Sequence, residues 1–139
     1  MMISTRGRYA IRILLYLAQH GEDGKYVPMR EVAQHENISL KYIEKIMPVF
    51  KPAGLIDSTH GIGGGYRLTK DPSEYSLWEI LLLTEGDLAP VSCLQENKAG
   101  CNRSSECKTL PVWQKYYQLT EEFFSSISLA DLMDKPKKK

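Results

Sequence analysis

A mainly α-helical chain with a small β-hairpin, in the order of a winged helix-turn-helix and ending in a long dimerisation helix, is the fold class this sequence predicts. Three observations predict it. Short amphipathic segments at 28–36 and 39–50 are separated by a polar turn, and GIGGG at 61–65 sits between two strand-like runs. Towards the C-terminus, Val112, Tyr116, Leu119 and Phe123 recur at spacings of four, three and four, close to a heptad seam.

Taken in order, Ser4 or Thr5 caps a first helix that carries Ala10, Ile13, Leu14, Leu17 and Ala18 on one face and stops at Gly21. A short second helix takes Pro28 at its first position, with Met29, Val32 and Ala33 as its apolar stripe, and HEN at 35–37 makes the turn. Ser39 caps a third helix whose Ile43, Ile46, Met47 and Phe50 recur at i, i+3, i+4 and i+7. Pro48 should bend that helix and Gly54 end it. LIDSTH and YRLTK form the hairpin strands around the glycines, and Asp71 to Tyr75 reads as a loop. Ser76 and Glu79 form a capping box for WEILLLTE, which Gly86 closes. The stretch from Asp87 to Thr109 lacks periodicity. A long helix then spans about Pro111 to Ile127, widened by Trp113, Thr120 and Phe124, and Ser128 with Asp131 caps a last short turn. The predicted division is 1–86 as winged helix-turn-helix, 87–109 as a cysteine-containing loop, 110–134 as dimerisation helix and terminal turn, and 135–139 as a disordered basic tail.

The length of 139 residues suits one compact unit with a projecting element. No apolar run has the length of a membrane span, and the first ten residues, MMISTRGRYA, hold no apolar signal core, so a cytoplasmic location is expected. The net charge of +1 hides a polarity. Residues 1–70 hold ten Lys/Arg against six Asp/Glu, whereas 71–134 hold four against eleven. A basic front half suits a polyanion-binding module.

A major-groove reader needs donors and acceptors at the exposed N-terminal end of its helix, and Ser39, Lys41, Tyr42, Glu44 and Lys45 supply them. A wing must approach the backbone or minor groove closely, so Gly61, Gly63, Gly64 and Gly65 clear space for His60, Tyr66 and Arg67. Thr5, Arg6 and Arg8 are placed to clamp a neighbouring phosphate. Val112, Tyr116, Leu119 and Phe123 are the candidate dimer seam. The expected partners are double-stranded DNA, as a palindromic operator, and a second copy of the chain.

Cys93, Cys101 and Cys107 are spaced C-x7-C-x5-C, which is neither a zinc-knuckle nor a ferredoxin pattern. By spacing alone they are metal ligands, reduced thiols or a thiol-disulfide switch. An enzyme using one of them as nucleophile is disfavoured. His20, His35 and His60 all lie in the front half, and the chain shows neither paired carboxylates nor a phosphate-cradling loop with a lysine.

STRGRYAIR, ISLKYIEKI, AGLIDSTHGIGGGYRLTKDP, LAPVSC, PVW and SLADLM together resemble the Rrf2 family of bacterial regulators, in order and over nearly the whole chain. The resemblance implies a winged-helix homodimer on palindromic promoter sites, with Ser39 to Lys45 as recognition helix and Gly61 to Tyr66 as wing. It also implies that Cys93, Cys101 and Cys107 hold an iron-sulfur cluster, [2Fe-2S] or [4Fe-4S]. The alternative is a winged-helix regulator without a cluster, using zinc, a small effector or a thiol switch. Three departures stand out. His60 replaces the arginine that many relatives carry before the wing glycine, and Leu110 stands where some carry a ligating histidine. The partner-subunit acid that others use near the N-terminus is replaced by Arg6 and Arg8, which cannot ligate. Glu96, Glu106 and His35 from the partner are the remaining candidates for a fourth ligand.

Overall fold

The computed structural model describes residues 2–95, 103 and 105–133. Among these residues six α-helices and two strands run in the order α1 (Thr5–His20), α2 (Met29–Glu36), α3 (Leu40–Ile46), β1 (Ile56–Thr59), β2 (Gly65–Leu68), α4 (Leu77–Glu85), α5 (Leu110–Ser125) and α6 (Leu129–Leu132). This is a winged helix-turn-helix with a long C-terminal helix. No helix among the described residues is long and apolar enough to cross a membrane. The basic tail expected at 135–139 lies outside the described residues.

Four of the helices, α1, α3, α4 and α6, start where a serine hydroxyl satisfies a first-turn amide, whereas α2 and α5 have no side-chain cap. Ser4, not Thr5, caps α1 by accepting from Gly7 N at 3.1 Å, and Ser39 accepts from Tyr42 N at 3.1 Å to open α3. Ser76 accepts from Glu79 N at 3.1 Å, and Ser128 with Asp131 completes a reciprocal capping box on α6. Three boundaries differ from the sequence expectation for local reasons. Pro28 precedes α2 with an extended ψ of 137°, because Val27 beside it is drawn into the sheet. His35 and Glu36 complete α2, and Asn37 makes the turn in the left-handed region at φ 57°. Finally, α5 stops at Ser125 rather than Ile127, whose carbonyl accepts from Leu77 N at 2.9 Å.

The core gathers Ile13, Leu14 and Leu17 of α1 with Val32, Ile43, Ile46, Phe50, Ile56 and Ile80, each almost fully removed from water. At roughly 1.5–3 kcal/mol per large apolar side chain, this burial is the main favourable contribution. α1 and α2 are further joined by Tyr16, whose hydroxyl donates to Glu31 Oε2 at 2.6 Å while its ring stacks on His20 at 3.9 Å. Burial first, then the Glu31 bond and charge, push the Tyr16 phenol up to about 12. Arg12 of α1 donates Nε to Glu36 Oε1 at 2.9 Å and Nη2 to the Glu36 carbonyl.

The segment 71–75, expected as a plain loop, is a 3-10 turn over Pro72–Glu74 that delivers Tyr75 into the core at 0% exposure. Its hydroxyl donates to Leu55 O at 2.7 Å and accepts from Thr69 N at 2.9 Å and Lys70 N at 3.3 Å. The entry to β1 and the exit from β2 are thereby tied to one atom. Tyr75→Phe should leave the buried Leu55 carbonyl unsatisfied and destabilise the fold by about 1–3 kcal/mol. Urea unfolding at fixed protein concentration, with an unchanged slope, measures it; a midpoint equal to wild type contradicts the role.

Candidate nucleic-acid interface and cysteine loop

Burying Ile43 and Ile46 rolls the opposite side of α3 outward, so Ser39, Lys41, Glu44 and Lys45 are all exposed on one face. Tyr42 is half-buried and meets Tyr9 of α1 edge-on at 5.7 Å. The Arg12 guanidinium lies 5.1 Å over the same Tyr9 ring and Arg8 6.0 Å over it. Tyr42 therefore braces α3 against α1 as well as bordering the polar face. At the head of α1, Thr5, Arg6 and Arg8 are exposed, and Arg8 Nη2 donates to Thr5 Oγ1 at 3.2 Å. Ser4 Oγ donates to Glu85 Oε2 at 2.6 Å, which clasps that end of α1 to α4.

The wing is an antiparallel pair in which Ser58 faces Tyr66 and Asp57 faces Arg67. Val27 adds a third rung: its N–H donates to Tyr66 O at 2.8 Å and its carbonyl accepts from Tyr66 N at 3.0 Å. A Cβ on Gly65 would stand 2.0 Å from the Val27 carbonyl oxygen, so the space this glycine clears is taken by the chain's own backbone. Gly63, at φ 79° with nothing within 4 Å, serves the turn instead. At the tip, His60 and Ile62 are exposed, Ile62 completely.

Strand alternation sends Tyr66 and Arg67 to opposite sides. Tyr66 is half-buried, and burial together with the charge of Glu44 on α3 raises its phenol above the ordinary value. Arg67 turns the other way. Its Nη1 donates to Gly24 O at 2.9 Å, its guanidinium sits 4.4 Å over Tyr26, and Asp57 lies 3.4 Å away. The structure thus brings the α3 face, His60 and Tyr66 to one side, and leaves Arg67 holding the wing to the α1–α2 connection. Sequence reading passed over Tyr9, Arg12, Lys51, Ser58 and Ile62. Ser58 was accessible through pairing parity with Tyr66, and Lys51 through its i+7 spacing from Glu44; no sequence signal marks Ile62.

The C-terminal arm is unlike the rest of the molecule: α5 has no buried residue. Phe124 and Ile127 pack on the core and Tyr117 meets Trp78 at 5.9 Å, but Val112, Tyr116, Leu119 and Phe123 are 57%, 44%, 51% and 59% exposed. Just before α5, the exposed Cys107 has its sulfur 3.4 Å from Thr109 Oγ1. Cys93 is half-buried in the 3-10 turn Ser92–Leu94. Cys101 and Glu96 lie outside the described residues. Glu106 is exposed, and His35 Nδ1 is engaged with Glu36 Oε2 at 2.8 Å.

A family model described as an iron-dependent transcriptional regulator matches residues 3–135. The chain belongs to the Rrf2 family. It is similar to Protein rrf2 of Nitratidesulfovibrio vulgaris, 36% identical over 133 residues that cover 96% of this chain and 87% of that one. It is similar also to the HTH-type transcriptional regulator IscR of Photorhabdus laumondii, 32% identical over 134 residues, 96% of this chain and 80% of that one. Among solved structures it matches CymR, the global cysteine regulator of B. subtilis, with a TM-score of 0.76 at 28% identity, over 95% of each chain. Family and relatives are transcriptional regulators, not enzymes.

In this Rrf2-family chain, no group of three or more His, Cys, Asp or Glu among the described residues is arranged to hold a metal ion. The surroundings of the Cys107 thiol nonetheless suit a thiolate ligand. The Thr109 hydroxyl foremost, then the Thr109 and Leu110 backbone at the head of α5 and the Arg103 charge, hold the Cys107 thiol below its ordinary value. Thiolate is the ligating and the nucleophilic form. Alkylation of Cys107 by iodoacetamide should reach half its maximal rate below the usual thiol range, and Thr109→Val should move that midpoint upward. Identical pH profiles for the two proteins, read by peptide mass spectrometry, contradict the assignment.

Proposed function

We propose that this Rrf2-family regulator is a cytoplasmic homodimer that binds a palindromic duplex operator and reports redox or iron-sulfur status through its 87–109 loop. The observation that supports the DNA reading most strongly is the single exposed face shared by α3 and the wing, in a chain whose relatives are transcriptional regulators. In this reading, residues 1–86 read DNA, 110–134 dimerise and 135–139 are a basic tail. Ser39, Lys41, Tyr42, Glu44 and Lys45 enter the major groove; Thr5, Arg6 and Arg8 meet phosphate. His60 and Tyr66 approach the backbone on a wing shaped by Gly63, Gly64 and Gly65, whose attitude Arg67 sets.

Dimerisation follows from the arm. Four large apolar side chains along one seam of a helix without a buried residue are unstable in water unless a second surface covers them, and a second copy of the same seam is self-complementary. Two linked recognition helices then meet half-sites about one helical turn apart.

For the sensor, Cys93, Cys101 and Cys107 are the residues that would hold an iron-sulfur cluster, which would supply a state responsive to iron, oxygen or nitric oxide. The chain's own contribution is placement. Cys107 lies at the head of α5, so a change in what its sulfur bonds disturbs the Thr109 contact and reaches the first turn of the dimer helix. The same observation supports a second reading, a thiol switch without a cluster, because an exposed thiol held below its ordinary pKa is also readily oxidised.

Glu44→Ala should relax sequence preference by about 1–3 kcal/mol between cognate and altered sites while changing non-specific affinity little; equal losses on every sequence would contradict base reading. Leu119→Asp combined with Phe123→Asp should give monomers by light scattering and at least a tenfold loss of operator affinity, and a persisting dimer would falsify the seam. Anaerobically reconstituted protein should be coloured and contain iron and sulfide, and Ala at Cys93, Cys101 or Cys107 should bleach it and shift operator affinity as iron removal does. A colourless protein whose affinity changes with peroxide favours the thiol switch; a triple Ala variant indistinguishable from wild type under both conditions overturns both sensor readings.

A further inference from the structure

Between the chain that leaves α3 and the wing lies an open cleft of about 440 Å³, lined by Pro48, Lys51, Pro52, Ser58, His60 and Tyr66. Glu44, Pro48 and Lys51 recur at i, i+4 and i+7, so the cleft continues the stripe that begins at the proposed base-reading carboxylate. Lys51 Nζ donates to Ser58 Oγ of β1 at 2.6 Å, bridging the cleft to the wing. Among the described residues no carboxylate pairs with Lys51; Asp57, next to Ser58, points to the other side of the hairpin and meets Arg67. The cleft therefore holds an ammonium whose charge is not neutralised, beside a hydroxyl that accepts from it and keeps its own proton to donate.

We propose that this cleft seats one phosphate of the DNA strand that passes between the recognition helix and the wing, with Lys51 and Ser58 as its donors. Two prolines and the Tyr66 ring give the walls apolar surface suited to a deoxyribose, and the anionic oxygens meet the Lys51 end. Glu44, four residues before Pro48 and outside the cleft lining, repels phosphate, which favours a track through the Lys51 side. The proposal rests on the DNA-binding reading, and it adds two residues that carry register and affinity but no base identity.

The test uses the full chain and a random-sequence duplex, with affinity measured by fluorescence anisotropy at several potassium chloride concentrations. Lys51→Met should lower the slope of log affinity against log salt by about 0.9 for each bound protomer, equally on all sequences. Lys51→Arg should restore the slope. Ser58→Ala should weaken binding severalfold with the slope retained. Lys25→Met, which removes a charge of the same sign outside the cleft, should keep the wild-type slope. If the wild type binds with salt-dependent affinity and Lys51→Met keeps its slope, or Lys25→Met loses as much, the phosphate seat is wrong and the DNA reading stands. If the wild type shows no salt-dependent binding, the DNA reading itself fails.

Discussion

One buried hydroxyl sets the relation between the two parts of the proposed reading surface. Tyr75 arrives from the turn after the wing and bonds both to the residue that precedes β1 and to the residues that follow β2. β1 also follows the chain that leaves α3, so fixing Leu55 fixes where the wing begins relative to the recognition helix. The Tyr75 carbonyl accepts from Leu129 N at 3.0 Å, which brings α6 back after the long arm. Helix, wing and arm thus share one anchor in the core. The wing is held further by the Val27 rung, the missing Cβ of Gly65, and the Arg67 guanidinium reaching to the Gly24 carbonyl.

A rigid reader joined to an uncovered arm is a sensible division of labour for a regulator. The basic front half keeps its charges outward on α1 and α3, while the acidic back half carries the exposed seam. The cysteine loop lies between them, and Cys107 stands where that loop becomes α5. In the proposed dimer, altering its sulfur would act on the relation between protomers and leave the proposed base-reading face chemically untouched. Coupling of this kind needs only a small energetic difference between two dimer arrangements, on the order of 1–3 kcal/mol.

The local signals in the sequence were those with a chemical mechanism attached. Ser4, Ser39, Ser76 and Ser128 cap the helices they precede, Gly21 stops α1, and the heptad-like spacing of Val112, Tyr116, Leu119 and Phe123 marks a seam that the structure leaves open. Non-local features were not legible. Tyr75 sits in a polar PSEY turn where no periodicity marks it as core, and the partners of its hydroxyl are up to 20 residues away. Val27 reads as a helix approach because its strand partner is supplied by tertiary contact. Gly65 looks like a concession to a ligand, yet the close approach is to its own chain. The direction of Arg67 was available from parity with Tyr66, since neighbours on a strand face opposite ways; what it binds there was not.

The most direct measurement of the whole account is a hydroxyl-radical footprint of the full-length protein on an operator obtained by selection from random duplexes. Two protected patches related by a two-fold axis, with centres about one helical turn or a multiple of it apart, are expected from paired α3 helices linked through α5. A single patch without symmetry, or no protection at concentrations where the protein is dimeric, would contradict it.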